Sequence, residues 1–196
     1  MDKFKAVLEQ FDHYNRQDPV LYHHHGKTDP EEYFLAVQVY EWVLKLSPDA
    51  SKELLLAARS HHIGRWEIPR DRYPKGRIGY LTWRGDLARF HADKAADIME
   101  KIGYEPESVA RAKQLILKKN RKSDREAQAL EDASCLVFLE FQYEDFRQKH
   151  ERELVVNILR KTLLKMSPQA HEQALKLTYS KEGLELVTAA MESLHR

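Results

Sequence analysis

From Leu87 to Ile102 the apolar side chains recur at a spacing only a helix can satisfy: Leu87, His91, Ala95, Ile98 and Ile102, then Gly103. Steps of four, four, three and four residues keep one face of a 3.6-residue helix, and a glycine just past the last of them is a stop signal. Tyr80 and Arg84 extend the stripe backwards. That extension predicts that Arg84 and His91 face inward with the core. A buried arginine needs an anionic partner, either a protein carboxylate or a bound phosphate or carboxylate.

The same periodicity runs elsewhere. Phe4, Val7, Leu8 and Phe11 make a short first helix. Ala36, Val39, Trp42, Val43 and Leu46 mark a second, with Asp29 as its expected cap, Pro30 at its start and Glu32 on its inward side. Leu54, Leu55 and Ala58 mark a third, from Ser51 to about Gly64, on which either His61 or His62 points inward. Val109, Ala112, Leu115 and Ile116 follow Glu105-Pro106, and Leu130, Ala133, Val137, Phe138 and Phe141 follow a capping Asp124. Two more helices are expected over 151–166 and 180–194. Glycine and proline are scarce, at seven each among 196 residues, which suits helices better than a sheet. The expectation is an all-α fold in a single helical domain spanning 1–196.

Charge excludes some functions. The formal net charge is +1, too little for a general affinity for nucleic acid. The charge is uneven, however: seven arginines between Arg59 and Arg89 face three acids, Glu67, Asp71 and Asp86. A local basic patch favours a small anionic ligand. The lone Cys135 lies in an apolar run and reads as a buried thiol. No signal peptide or membrane-spanning run is recognised, so a cytoplasmic protein is expected. His23, His24 and His25 are adjacent and cannot all face one point, so they read as a surface loop, with a place at the pocket mouth as the alternative. Lys118 to Lys122 reads as a basic turn at a helix end.

No P-loop, dinucleotide turn, nucleophile elbow or CxxC is present. What remains is Glu32, His61, His62, His91, Glu131 and Asp132, with Arg65, Arg70, Tyr80 and Arg84 in or beside a long connector. Histidine nitrogens and carboxylate oxygens suit zinc, manganese, iron or nickel. Arginines suit phosphate oxygens. The connector carries Trp66, Ile68, Tyr73 and Tyr80, enough apolar surface to expect it to pack down as ordered structure.

Leu54 to Gly64, ending Ser60-His61-His62-Ile63-Gly64, resembles the signature helix of the HD-domain metal phosphohydrolases. His91-Ala92 and the Glu131 to Leu136 segment resemble later parts of that pattern over roughly 31–140. His62 stands where that superfamily has its metal-bridging aspartate, and Glu32 where it has a histidine. The resemblance implies an HD-like topology. It implies either a divalent-metal site built from Glu32, His61, His62 and Asp132, or a pocket with no metal. A second resemblance covers nearly the whole chain. His62 to Arg70, Tyr73-Pro74, Gly79-Tyr80, Trp83-Arg84, Phe90 to Ala92 and Glu131 to Glu140 are similar to the pattern of the uncharacterised DUF4202 family. That family commonly has glutamine at the position of His61, which makes His62 the stronger candidate. The combined reading is a metal-dependent hydrolase of a small phosphorylated or anionic metabolite. Glu131 and His91 are its catalytic candidates, and Arg65, Arg70, Tyr80 and Arg84 its anion-binding residues. A non-catalytic anion-binding or regulatory protein is the alternative, and RNA binding a third.

Overall fold

The computed structural model describes residues 2–24, 26–118 and 123–195. It is all-α apart from one small hairpin. His25 and Lys119 to Lys122, part of two expected features, lie outside the described residues. No helix among the described residues is long and apolar enough to cross a membrane. The chain forms two compact units, 1–130 and 131–196, and each is taken by itself.

The first unit is assembled around α3, Lys52–Ser60, which packs against α1 (Lys3–Asn15), α2 (Glu31–Leu46), α4 (Arg77–Ile102) and α5 (Pro106–Ile116). Leu54, Leu56, Ala57 and Ala58 of α3 are wholly buried. The two alanines let neighbouring backbones approach closely, which is how so short a helix meets four others. Ser51 caps it, its side chain accepting the Leu54 N–H at 3.1 Å. The helix ends at Ser60, a turn earlier than the sequence suggests: the Ile63 N–H bonds the Ser60 carbonyl in a tighter turn, and the chain leaves through the left-handed Gly64.

The hairpin joins β1 (Leu21–His24) and β2 (Lys27–Pro30), with Leu21 opposite Pro30 and His24 opposite Lys27. It corrects the expected cap of α2. Asp29 lies in β2 with its carboxylate 3.2 Å from His24 Nε2. The capping carboxylate is instead the buried Asp18, which accepts the Val20 N–H at 2.9 Å and the Glu32 N–H at 3.0 Å. Pro30 keeps an extended backbone, so Asp29 stays in the strand. Asp18→Ala leaves both donors without their acceptor, a loss of about 2 kcal/mol. Urea denaturation should show the lower midpoint, with Asp18→Asn keeping most of the stability; an unmoved midpoint for the alanine variant rules out the capping role.

On α4 the buried line is Gly79, Trp83, Leu87, His91, Ala95 and Met99. Each four-residue step advances about 40° around a helix with 100° per residue, so the buried face winds. Tyr80 and Arg84 therefore point to solvent, not into the core as the sequence suggests. Trp83 and Gly79 take the inward places, since an indole gains far more from burial than a guanidinium. Gly103 ends α4 in a left-handed turn, as the sequence suggests.

The second unit begins within α6, Arg125–Val137, whose N-terminus in the first unit is capped by Asp124 as expected. The helix continues as a π-turn over Phe138–Gln142 into α7, Tyr143–Lys149. The extra residue of the π-turn shifts the buried register: Leu139 and Tyr143 are buried, while Phe138 and Phe141 are only half-buried. Then come α8 (Arg152–Leu163), α9 (Pro168–Ala174) and α10 (Lys181–Glu192). Leu159, Leu163, Ala170, Ala174 and Val187 are wholly buried. Ser167 caps α9 and Pro168 opens it, where the sequence suggested only a connection.

Candidate functional site

The turn after α3 places three imidazoles together. The His61 and His62 rings stack with centroids 4.0 Å apart, and His62 lies 5.5 Å from His91, which α4 brings in from the other side. Gly64 makes the turn possible. Its φ is +68°, and a Cβ there would meet Glu67, Phe90 and Tyr14 atoms within 3.0 Å. The Gly64 N–H is held by the buried Asn15 side chain at 3.3 Å.

Backbone carbonyls fix the tautomers. His91 Nδ1 lies 2.7 Å from the Ile63 carbonyl oxygen and His61 Nδ1 lies 3.1 Å from that of Ala58. A carbonyl only accepts, so each Nδ1 carries the proton and each Nε2 carries a lone pair. His91 Nε2 is buried and has no hydrogen-bond partner. Burial keeps these rings neutral. It lowers the His61 pKa to about 3, helped by the charge of Lys118, and the His91 pKa to about 4 despite the Ile63 bond. His62 is also held well below its usual value by burial, then by His61 and Arg65. Part of its surface remains open to solvent, so the densely packed protein on its other sides sets its protonation.

Glu32, 4 % exposed, approaches Arg65. Arg65 Nε stands 3.6 Å from its Oε1, too far for a hydrogen bond. Burial outweighs the arginine and raises the Glu32 pKa to about 8. At neutral pH the carboxyl therefore keeps its proton, and the Arg65 charge stays uncancelled by it. The Arg65 guanidinium also lies 5.3 Å over the Trp83 ring, and its field reaches all three histidines. Trp83 is itself fixed by donation to the Ile68 carbonyl at 2.8 Å.

The other anion-binding candidates are engaged differently. Arg70 donates to the carbonyls of Tyr73, Pro74 and Gly76 at 3.0, 2.9 and 3.5 Å, and so ties the connector to itself. The connector is ordered as the sequence suggests, with one-turn helices over 65–67 and 70–72. Arg84 and Tyr80 touch each other on the exposed side of α4, at 3.4 Å. In the second unit, Glu131 lies 3.6 Å from Lys165 Nζ and 4.0 Å from Cys135 Sγ. Asp132 accepts the Ser167 N–H at 2.8 Å, at the start of α9. Among the described residues no three His, Cys, Asp or Glu side chains form a group placed to hold a metal ion.

Sequence reasoning gave Asn15 and Asp18 no role. Both sit in what reads as a polar loop, and the Gly64 and Glu32 N–H groups that they accept lie 49 and 14 residues away, so no local pattern announces those bonds.

A family model described as "Domain of unknown function (DUF4202)" matches residues 5–187. The chain belongs to the DUF4202 family. No curated protein and no solved structure matches it. Both the histidine turn and the connector of this DUF4202 protein fall inside the matched residues.

Proposed function

We propose that this DUF4202 protein is a metal-assisted hydrolase of a small phosphorylated metabolite, working at the His61–His62–His91 cluster beside Arg65. The observation that carries the reading is the buried, unpartnered Nε2 of a neutral His91. A buried acceptor left without a partner is costly unless a ligand completes it. Metal-binding imidazoles typically donate their other N–H to a carbonyl, the arrangement that His91 and His61 both have. The donor chemistry therefore fits a divalent metal such as zinc, manganese, iron or nickel.

His91, with His61 or His62, would offer ring nitrogens to the ion, and a bound metal lowers the pKa of water so that hydroxide is available near neutral pH. Arg65 supplies the positive charge for a phosphate oxygen, aimed by its seat over Trp83. The resemblance to HD-domain phosphohydrolases points the same way.

A second reading, an anion-binding or regulatory protein without metal chemistry, is favoured by the lack of a grouped ligand triad among the described residues. Elemental analysis of untagged protein, with calorimetric titration of manganese, nickel and zinc, separates the two. The hydrolase reading expects near-stoichiometric metal, a His91→Ala loss of affinity of at least about 10- to 100-fold, and metal-dependent release of phosphate from a phosphomonoester panel. Metal-free protein that no added ion activates, but that binds phosphate through Arg65, leaves the second reading standing.

A further inference from the structure

The outward face of α4 carries a feature that the histidine cluster does not use. Ile78 is 84 % exposed and Leu81 56 % exposed, on a helix whose opposite face is seated by Gly79, Trp83 and Leu87. Ile78, Leu81, Gly85 and Ala88 follow steps of three, four and three residues, the repeat of a coiled-coil seam. Gly85 leaves open space, since an added Cβ would meet only the end of Arg89 at 3.7 Å. Large side chains at the N-terminal end of the strip, Ile78 and Leu81, offer apolar surface, and the small Gly85 and Ala88 after them give a partner helix room to approach. Arg77 and Arg84 flank the strip on one side and Thr82 and Arg89 on the other, in the places that choose a coiled-coil partner by charge. Arg89 is paired with Asp86, and no ion pair engages Arg77 among the described residues.

We infer that this face docks an amphipathic helix of a partner protein, with large apolar residues on its seam and glutamate or aspartate flanking it. Charge selects this occupant over a second copy of the chain. An antiparallel pair of α4 helices would set Arg77 of one against Arg84 of the other, and a parallel pair would set Arg84 against Arg89. Both juxtapose like charges, which acts against pairing. Because Gly79, Trp83 and Leu87 anchor α4 from behind, the face is pre-formed and a partner meets it without rearrangement.

The test uses the full chain and two labelled synthetic helices of about three heptads, both with leucine on the seam, one with glutamate and one with lysine at the flanking positions. Fluorescence anisotropy should show the glutamate peptide binding at least about tenfold more tightly than the lysine peptide. Ile78→Glu combined with Leu81→Glu should weaken the glutamate peptide by a similar factor. Arg77→Glu combined with Arg84→Glu should reverse the preference, a gain of binding that an unfolded variant cannot mimic. Three results overturn the inference. One is equal or absent binding of both peptides. The others are sedimentation with phosphatidylserine vesicles, or a dimer in sedimentation velocity, either of them abolished by the Ile78 and Leu81 substitutions while the peptides fail to bind.

Discussion

Replacing Glu32 by glutamine should stabilise the protein at alkaline pH by about 4 to 5 kcal/mol, while leaving its stability near pH 4 almost unchanged. The carboxyl is 4 % exposed and its pKa rises from an ordinary 4.5 to about 8 on folding, chiefly through burial, with Arg65 opposing. The folded state therefore holds a proton that the unfolded chain releases between those values. Stability from this group is fully present below pH 4.5 and is lost as the pH rises through about 8. Glutamine is neutral throughout, so the difference between variant and parent grows across that window to the figure given. The histidines slope the other way in both proteins. His91, displaced down to about 4, costs stability as the pH falls from about 6.5, and it cancels when the two curves are subtracted. Urea denaturation at intervals from pH 4 to 9 measures the difference. Parallel curves would show that Glu32 is ionised in the fold and that Arg65 is already neutralised, which removes the basis for an anion-attracting site.

The residues that predicted these features did so unequally. Helical spacing alone placed Glu32 on the inward side of α2, because a first-turn position four residues before Ala36 shares its face. It placed Val109, Ala112, Leu115 and Ile116 in the core of α5 for the same reason. Such spacing fails where the environment changes along the helix. Along α4 the neighbours change from the connector to other helices, and the buried line winds to follow them, which turned Tyr80 and Arg84 outward. A π-turn likewise cannot be read from apolar spacing, since it inserts one residue and shifts every later inward position.

The histidine turn was legible as a cluster of residue types but not as a geometry. Adjacent His61 and His62 announce unusual chemistry, yet nothing local says that the imidazole of His91, 28 residues beyond Ile63, will sit beside them with its Nδ1 donating to the Ile63 carbonyl. The arginines of the connector show the same limit. Counting them predicts a basic patch, but a guanidinium has five donors, and Arg70 spends its own on the loop's carbonyls. Which arginine serves a ligand and which serves the backbone is decided by the path of the chain.

The junction between connector and α4 is where that path is held most tightly, and Gly79→Ala should break it. An alanine within a helix ordinarily gains about 1 kcal/mol over glycine, so a destabilised variant cannot be blamed on helix propensity. Here the added Cβ would fall 2.0 Å from the Pro74 carbonyl oxygen and 2.8 Å from its carbon, both backbone atoms that no rotamer change can clear. The loop must lift. Lifting Pro74 pulls on the carbonyl that accepts Arg70 Nη2 and strains the segment whose Ile68 carbonyl fixes Trp83 beneath Arg65. Overpacking of this kind costs about 3 kcal/mol, equivalent to a fall of about 10 °C in melting temperature for a chain of this size. Trypsin should also cut faster after Arg70, Arg72 or Lys75 in the variant, since a lifted loop loses its clamp. An alanine variant that melts with the parent and resists trypsin equally would mean that α4 and the connector are not in register as described, and Arg65 would lose the seat that aims it at a ligand.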